Sequence, residues 1–239
     1  MAVHQEDHVI IVDPADDLTR DVVGWDVATW AVAVEYWENE LGATDRQLTC
    51  LEVGAGPGGP SLLLALKGHK VLCSNWQGTQ AQAQPLHDKY PGLDISYQDI
   101  DITEIPFTEQ FDLIVFKSVL GGLAPYGKSS KSAMREIHRA LKPNGRLLFA
   151  ENMRGTVFHR LARWAAYRLR KASWRFMPVS EMHEHLEPFD SYELRTTGVL
   201  ALFGVTEPQR NTLARADRAL FNRIVPASGQ YVAYGVATK

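Results

Sequence analysis

Leu48-Thr49-Cys50-Leu51-Glu52-Val53-Gly54-Ala55-Gly56-Pro57-Gly58-Gly59-Pro60-Ser61, running on into Leu62 to Leu66, is the stretch that decides the fold. Leu48 to Val53 is an apolar run of strand length, the glycine cluster stops it, and the apolar stretch after Pro60 predicts a helix. Pro60 suits the first helical turn, where its missing N–H costs nothing, and Gly68 suits the C-terminal stop. Gly54, Gly56 and Gly59 satisfy the G-x-G-x-x-G spacing, in which absent side chains let backbone N–H groups and a helix N-terminus approach a ligand. A glycine-rich turn without a ligand gives the same letters. The flanking strand and helix favour a nucleotide-like ligand.

Downstream the pattern repeats. Lys70 to Ser74 reads as a second strand, Thr79 to Tyr90 as a helix despite Pro85, Leu93 to Tyr97 as a third strand and Phe111 to Phe116 as a fourth. A helix carrying Ala133, Met134, Ile137, Ala140 and Leu141 ends at Lys142-Pro143-Asn144-Gly145, before a fifth strand from Arg146 to Ala150. Asp112 apart, Phe111 to Phe116 is apolar, as a strand covered on both faces should be. Strands alternating with helices predict an α/β fold with a doubly wound parallel sheet, whose ligands sit beyond the carboxyl ends of the strands. A helix at Ser180 to Leu186, a strand near Glu193 to Phe203, a helix near Gln209 to Ile224 and a strand at Tyr231 to Ala237 complete the reading.

At 239 residues the chain fits one large α/β domain. Its net charge of −3 gives no reason for general nucleic-acid affinity. Cys50 and Cys73 fall in apolar strand runs and read as buried free thiols. No stretch approaches the roughly 20 apolar residues of a membrane span, and Met1 to Asp7 lacks a signal pattern, so a cytoplasmic protein with no membrane partner is expected. Residues 1 to 26 carry seven acidic side chains against Arg20, which predicts a solvated arm. Asp26 then suits the cap of a helix with Val27, Trp30, Ala31, Val34, Trp37 and Leu41 on one face and Gly42 at its end, placed as a lid over the ligand site. Those tryptophans read as core.

A dinucleotide site expects an acidic residue at the end of the second strand to hold ribose hydroxyls. Here the strand ends in Ser74-Asn75-Trp76. Four motifs in order decide the reading. They are Glu52-Val-Gly-Ala-Gly-Pro-Gly-Gly, Asp101-Ile-Thr-Glu-Ile-Pro-Phe, Phe111-Asp-Leu-Ile-Val, and Arg135 through Lys142-Pro143-Asn144-Gly145 to Glu151. Together they resemble class I S-adenosylmethionine-dependent methyltransferases from about Leu48 to Glu151, and the ending Tyr231-Val-Ala-Tyr-Gly-Val-Ala resembles that fold's antiparallel last strand.

The resemblance implies a Rossmann-like, seven-stranded, mostly parallel sheet in a single domain. Residues 1–46 form the acidic arm and helical cap, 47–151 the cofactor-binding core, and 152–239 the acceptor-site region and closing strands. It implies S-adenosyl-L-methionine as cofactor. Gly54, Ala55, Gly56 and Gly58 would lie against its amino-acid and ribose portion, with Glu52 orienting the loop. Asn75 takes the place of the usual acidic ribose ligand, and Trp76 would lie along the adenine. Asp101 would face the adenine amino group with Ile102 beside the ring, Asp99 being the competing register. Phe116, Lys117 and Ser118 would border the methionine end and the acceptor.

Methyl transfer needs an in-line nucleophile, and a base only for a weak acceptor such as a hydroxyl. His159, just after the fifth strand, is the first candidate base, with a partly exposed helical histidine as the ordinary alternative. His183 and His185 rank below it, and His138 reads as structural. Lys117 either orients the acceptor or pairs with Glu151 or Asp101. No His, Cys, Asp or Glu cluster has metal spacing, so no metal is expected. Between Arg154 and Arg175 seven Lys or Arg residues interleave with Phe158, Trp164, Tyr167 and Trp174, without an acidic residue. This run would bind an anionic part of a small-molecule acceptor or form a solvated face; RNA is the less favoured acceptor. The expected activity is methyl transfer to a small molecule, at a hydroxyl oxygen ahead of nitrogen or carbon, in a biosynthetic pathway. The alternatives are a nicotinamide-dependent oxidoreductase and a cofactor-binding protein without methyl transfer.

Overall fold

Four consecutive apolar residues, Leu113 to Phe116, demand cover on both faces, and the sheet supplies it. β1 (Thr49–Glu52) lies between β2 (Lys70–Asn75) and β4 (Phe111–Lys117), with β3 (Ile95–Asp99) outside β2 and β5 (Leu141–Asn152) outside β4. β7 (Val232–Thr238) inserts between β5 and β6 (Ser191–Thr197) and runs antiparallel to both, giving the order β3-β2-β1-β4-β5-β7-β6 with β7 alone reversed. The structure, a computed structural model, describes residues 16–42, 46–170 and 174–239.

Side chains of successive strand residues point to opposite faces. Cys50, Leu113, Val115, Leu148 and Ala150 face one layer, where α1 (Asp17–Val23), α2 (Val27–Leu41) and α3 (Gly59–Leu66) contribute Val22, Trp30, Trp37 and Leu62. Leu51, Ile114, Phe116, Leu147 and Phe149 face the other, against Met134 and Ile137 of α5 (Ser130–Ala140) and Met182 and Leu186 of α7 (Val179–Leu186). The expected doubly wound sheet, its antiparallel last strand, the buried free cysteines and the core tryptophans are all present.

Several boundaries differ for local reasons. α4 (Thr79–His87) ends before Tyr90, and β3 starts two residues later than read, at Ile95. β5 begins at Leu141, because Leu141 already pairs with Phe111 ahead of a register shift through the Pro143-Asn144 turn. The strand expected to reach Phe203 stops at Thr197, since Gly198 turns left-handed (φ 84) into a short 3-10 turn at Ala201–Phe203. The helix expected over 209 to 224 is broken: α8 (Glu207–Ala216) gives way to a π turn at Asp217–Phe221 and the short α9 (Asn222–Ile224). The buried Asp217 there accepts hydrogen bonds from the backbone N–H groups of Val199, Leu200 and Ala201.

The N-terminal segment also departs from expectation. Residues 1–15 lie outside the described residues, but α1 is ordered on Thr19, Val22 and Val23, which are buried. Asp26 occupies the position before α2 without capping it; its backbone is left-handed (φ 47) and its side chain makes no cap hydrogen bond. The carboxylate of Glu207, from α8, accepts the N–H groups of Asp26 and Val27 instead, both at 3.3 Å. α1 packs so tightly on the start of α3 that a Cβ at Gly59 would stand 2.0 Å from the Val22 carbonyl oxygen. Overpacking of this kind costs roughly 1–3 kcal/mol. Gly59→Ala should therefore lower stability by about that amount in urea unfolding and, as α1 is displaced, increase protease cutting between residues 16 and 26.

Candidate functional site

A cleft of about 390 Å³ opens beyond the carboxyl ends of β1, β2 and β4, lined among others by Gly54, Asn75, Trp76, Asp101, Ile102 and Ser118. The four loop positions do different work. A Cβ at Gly54 would meet Val119 Cγ2 at 2.6 Å, and one at Gly58 would meet His87 Nε2 at 2.6 Å, so packing within the protein requires both glycines. Ala55 packs beside Cys73 and Ala83 rather than facing the cleft. Gly56, which is not among the cleft-lining residues, alone of the three loop glycines has open space where a Cβ would stand.

The opposite wall is polar and aromatic. Asn75 accepts a hydrogen bond from the Trp76 N–H (3.0 Å) and donates to Gln82 Oε1 (3.1 Å). Trp76 meets Tyr126 edge-on at 5.0 Å, and Lys128 Nζ lies 4.6 Å from the Trp76 ring centroid. Asp101, not Asp99, lines this cleft. Burial opposes its charge, but Lys128, which pairs with it, and the Thr103 donors outweigh that and hold its carboxyl below the usual value. Asp99 accepts from Thr79 N (2.9 Å) and Gly78 N (3.1 Å), which orients the start of α4 and lowers its own pKa.

Outside the cleft lining, against Trp25 and Trp30, lies a buried charge cluster. Lys117 ends β4 with its Nζ 4.7 Å from the Trp30 ring centroid and 5.6 Å from that of Trp25. Burial drives its pKa down to about 8, against the opposing pull of Glu52, Glu151 and Asp26. Glu52 Oε2 accepts from Ser61 N (2.8 Å) and Ser61 Oγ (2.5 Å), tying β1 to the first turn of α3. Glu151 Oε2 accepts from Val119 N (2.8 Å) and Leu120 N (2.6 Å), and so fixes the loop that carries Ser118, Val119 and Gly122 into the cleft. Burial pushes both carboxyls up to about 7, the donors only partly offsetting it. Asp26, which accepts from the Tyr231 hydroxyl at 2.6 Å, is pushed by burial to about 6. The direct ion pair considered for Lys117 goes elsewhere: Asp101 binds Lys128, and the carboxylates around Lys117 act on it without contact among the described residues.

His159 is corrected by its surroundings. It is fully buried; Nδ1 accepts the Thr156 N–H at 2.9 Å, which leaves Nε2 to donate to the Val199 carbonyl at 2.6 Å. Its ring stacks on Phe203 at 5.2 Å, and burial lowers its pKa. Both nitrogens are thus engaged, and the ring anchors α6 (Val157–Arg170) instead of serving as a base. His185 is buried against Ser130, and His183 meets the Tyr192 hydroxyl. Among the described residues the arginine run does not converge on the cleft either: Arg163 is buried and donates to the Met153 carbonyl, Arg175 pairs with Glu181, and Arg160 and Arg168 are exposed.

Sequence reading missed Val119, Leu123, Tyr126, Lys128 and Trp174 as lining residues, and Glu151 as the holder of their loop. The Gly121-Gly122 pair was the available signal. A Cβ at either position would stand within 3.0 Å of Trp174, so the pair marks where that ring lies against the loop.

Residues 51–149 match the family model described as a methyltransferase domain. Solved structures share the fold. A SAM-bound phosphoethanolamine N-methyltransferase 2 of Haemonchus contortus superposes with a TM-score of 0.63 at 16% identity, covering 93% of this chain and 56% of its own. The 1,6-didemethyltoxoflavin-N1-methyltransferase of Burkholderia thailandensis, solved with 1,6-didemethyltoxoflavin and S-adenosylhomocysteine, gives 0.56 at 18%, covering 92% and 81%. An S-adenosylmethionine-dependent methyltransferase of Mesorhizobium loti gives 0.59 at 15%, covering 89% and 98%. The chain spans about half the length of the Haemonchus enzymes, 52% and 56%. A search of curated sequences returns no match. The domain match is confined to residues 51–149, and the sheet order and the superpositions show that the chain has the fold of these methyltransferases.

The buried charges set a pH dependence. Glu52 and Glu151 have folded pKa values raised from 4.5 to about 7, so their stabilising contribution is full below about 4.5 and lost as pH rises through about 7. Lys117 has the opposite sign: lowered from 10.5 to about 8, its contribution is full above 10.5 and lost as pH falls through about 8. Each pKa unit is worth about 1.4 kcal/mol. Burial lowers the pKa values of His69, His87, His138, His159 and His185, which act in the opposite direction over this range, so the test is a difference: in urea unfolding Glu151→Gln should be less stable than the parent protein at about pH 5, through weakened hold on the Val119 and Leu120 N–H groups, and the gap should narrow toward about pH 7.

Proposed function

We propose that the protein transfers a methyl group from S-adenosyl-L-methionine to a small-molecule acceptor, with a hydroxyl oxygen as the accepting atom. The observation that carries this reading is the convergence of Gly54, Asn75, Trp76, Asp101, Ile102 and Ser118, far apart in sequence, on one cleft of about 390 Å³, within the size range of small-ligand pockets. In this reading Trp76 packs along the adenine, Asn75 holds the ribose hydroxyls, Asp101 and Ile102 take the adenine edge, and Ser118 borders the methionine end. When bound, the sulfonium supplies an electrophilic methyl carbon.

The chain's own part is positioning, which can supply several kcal/mol, up to about 7 to 11 in ideal intramolecular cases. Lys117 is the proposed acceptor-side group. With a pKa near 8 it exchanges its proton close to neutrality: as an ammonium it holds an acceptor oxygen, and as an amine it takes the hydroxyl proton as the oxygen attacks. That reactivity favours oxygen as the accepting atom. Neighbours of the same fold are named for nitrogen or carbon methylation, so the acceptor face rather than the sheet sets the atom.

Thermal unfolding with S-adenosylhomocysteine tests the cofactor. At 100 times its dissociation constant a ligand adds about 2.7 kcal/mol, and each kcal/mol moves the midpoint of a chain this size by about 2–4 °C. The expected result is a shift with S-adenosylhomocysteine and none with NAD(H); the reverse pattern overturns the reading. Gly56→Arg should abolish the shift by filling the open space. Lys117→Met should keep it and remove S-adenosylhomocysteine production on hydroxyl acceptors. Charge-assisted hydrogen bonds are about twice as strong as neutral ones, so Asn75→Asp should tighten S-adenosylhomocysteine binding in calorimetry.

A further inference from the structure

α6 turns four large apolar side chains away from the protein. His159 and Arg163 point inward and are buried, while Val157, Phe158, Leu161 and Trp164 are between 56% and 68% exposed. At 100° per residue these four cover an outward stripe about 120° wide. Large apolar side chains grouped in this way mark an interaction surface, whereas single ones need no explanation. The charges beside them have one sign. Arg154, Arg160 and Arg168 are exposed, and no acidic residue occurs from Arg154 to Arg175. The adjoining segment continues the pattern. It is tied to α6 through His159 to Val199 and from Val199 to Asp217, and it exposes Leu220 and Ile224 beside Arg215, Arg218 and Arg223. Of its acidic residues, Asp217 is buried and bound to backbone N–H groups, and Glu207 is paired with Arg210.

We infer that this face docks on an anionic phospholipid bilayer, with α6 lying in the interface plane. The chemistry is that of interfacial helices: Trp, Phe and Leu enter the headgroup boundary while flanking arginines meet lipid phosphates. A second copy fits poorly, because a two-fold contact would set Arg160 and Arg168 against their own counterparts. Among the described residues no helix is long and apolar enough to cross a membrane, so the contact is with the surface. α6 follows β5 at the carboxyl edge of the sheet, which brings the cleft's side of the molecule toward the lipid.

Co-sedimentation of the full chain with vesicles, without cofactor or acceptor, tests this independently of the methyl-transfer reading. Binding is expected to vesicles of phosphatidylcholine mixed with phosphatidylglycerol and not to phosphatidylcholine alone. It should fall more than ten-fold as salt rises from about 0.1 M to about 1 M, where the screening length drops from about 10 Å to about 3 Å. Leu161→Glu with Trp164→Glu should cut partitioning at least ten-fold, and Arg160→Gln with Arg168→Gln should do so through charge alone, about five-fold for each arginine. All four side chains are exposed, so unfolding midpoints should not move. No binding to anionic vesicles at low salt overturns the proposal, as does binding that both double variants leave unchanged. Self-association in sedimentation equilibrium, or tighter binding to a polyuridine RNA than to the vesicles, either one lost in the same variants, would replace the bilayer with a second copy or with nucleic acid.

Discussion

Burial of the central strands on both faces is the constraint on which the rest of the molecule depends. β1, β4 and β5 have a helix layer above and another below, so each of their side chains in the middle of the sheet must be apolar. A polar group there would lose water without gaining a partner, at a cost of a few kcal/mol. Chemistry is therefore confined to the strand ends. Glu52, Asn75, Lys117 and Glu151 stand where β1, β2, β4 and β5 run out, and their backbones are held rigidly by the parallel ladders.

Rigidity alone would not keep four ionisable groups underground at that edge. Each buried carboxylate is held by donors from a neighbouring element, Glu52 by Ser61, Glu151 by Val119 and Leu120, and Asp26 by Tyr231. Among the described residues Lys117 has no such contacts; it rests on the faces of Trp25 and Trp30, with the carboxylates acting on it at a distance. The result is a proton-exchanging group poised near neutrality in a partly desolvated place, the arrangement in which perturbed pKa values tend to accompany function. The same hydrogen bonds shape the cleft, because the loop that Glu151 grips supplies a wall of it.

The last third of the chain answers a different requirement. β6 and β7 finish the sheet, and His159, Arg163 and Asp217 spend their polar atoms on backbone groups to hold α6 and the 198–203 turn in place. Residues with the look of catalytic or anion-binding groups are thus consumed as scaffolding. What they leave outside is an uncovered apolar and basic face, which the sheet does not need.

The sequence by itself determined the sheet, because period, length and glycine punctuation are local properties: the runs at Leu48 to Val53 and Phe111 to Phe116 and the loop at Gly54 to Gly59 could be read one after another. It also placed Asn75, Trp76, Asp101, Ile102, Lys117 and Ser118 at strand ends, and strand ends of a parallel sheet gather at one edge. Only the tertiary structure decided what each side chain does there. His159 looked free because its partners, Val199 and Phe203, are some forty residues away. Asp26 looked like a helix cap until Glu207 of α8 took that role. Lys128, Tyr126 and Trp174 carried no local signal, and the outward turn of the α6 stripe could be known only once His159 and Arg163 had fixed which side of that helix faces in. Local pattern specifies backbone, whereas a side chain's role depends on partners distant in sequence, and only the packed chain brings those together.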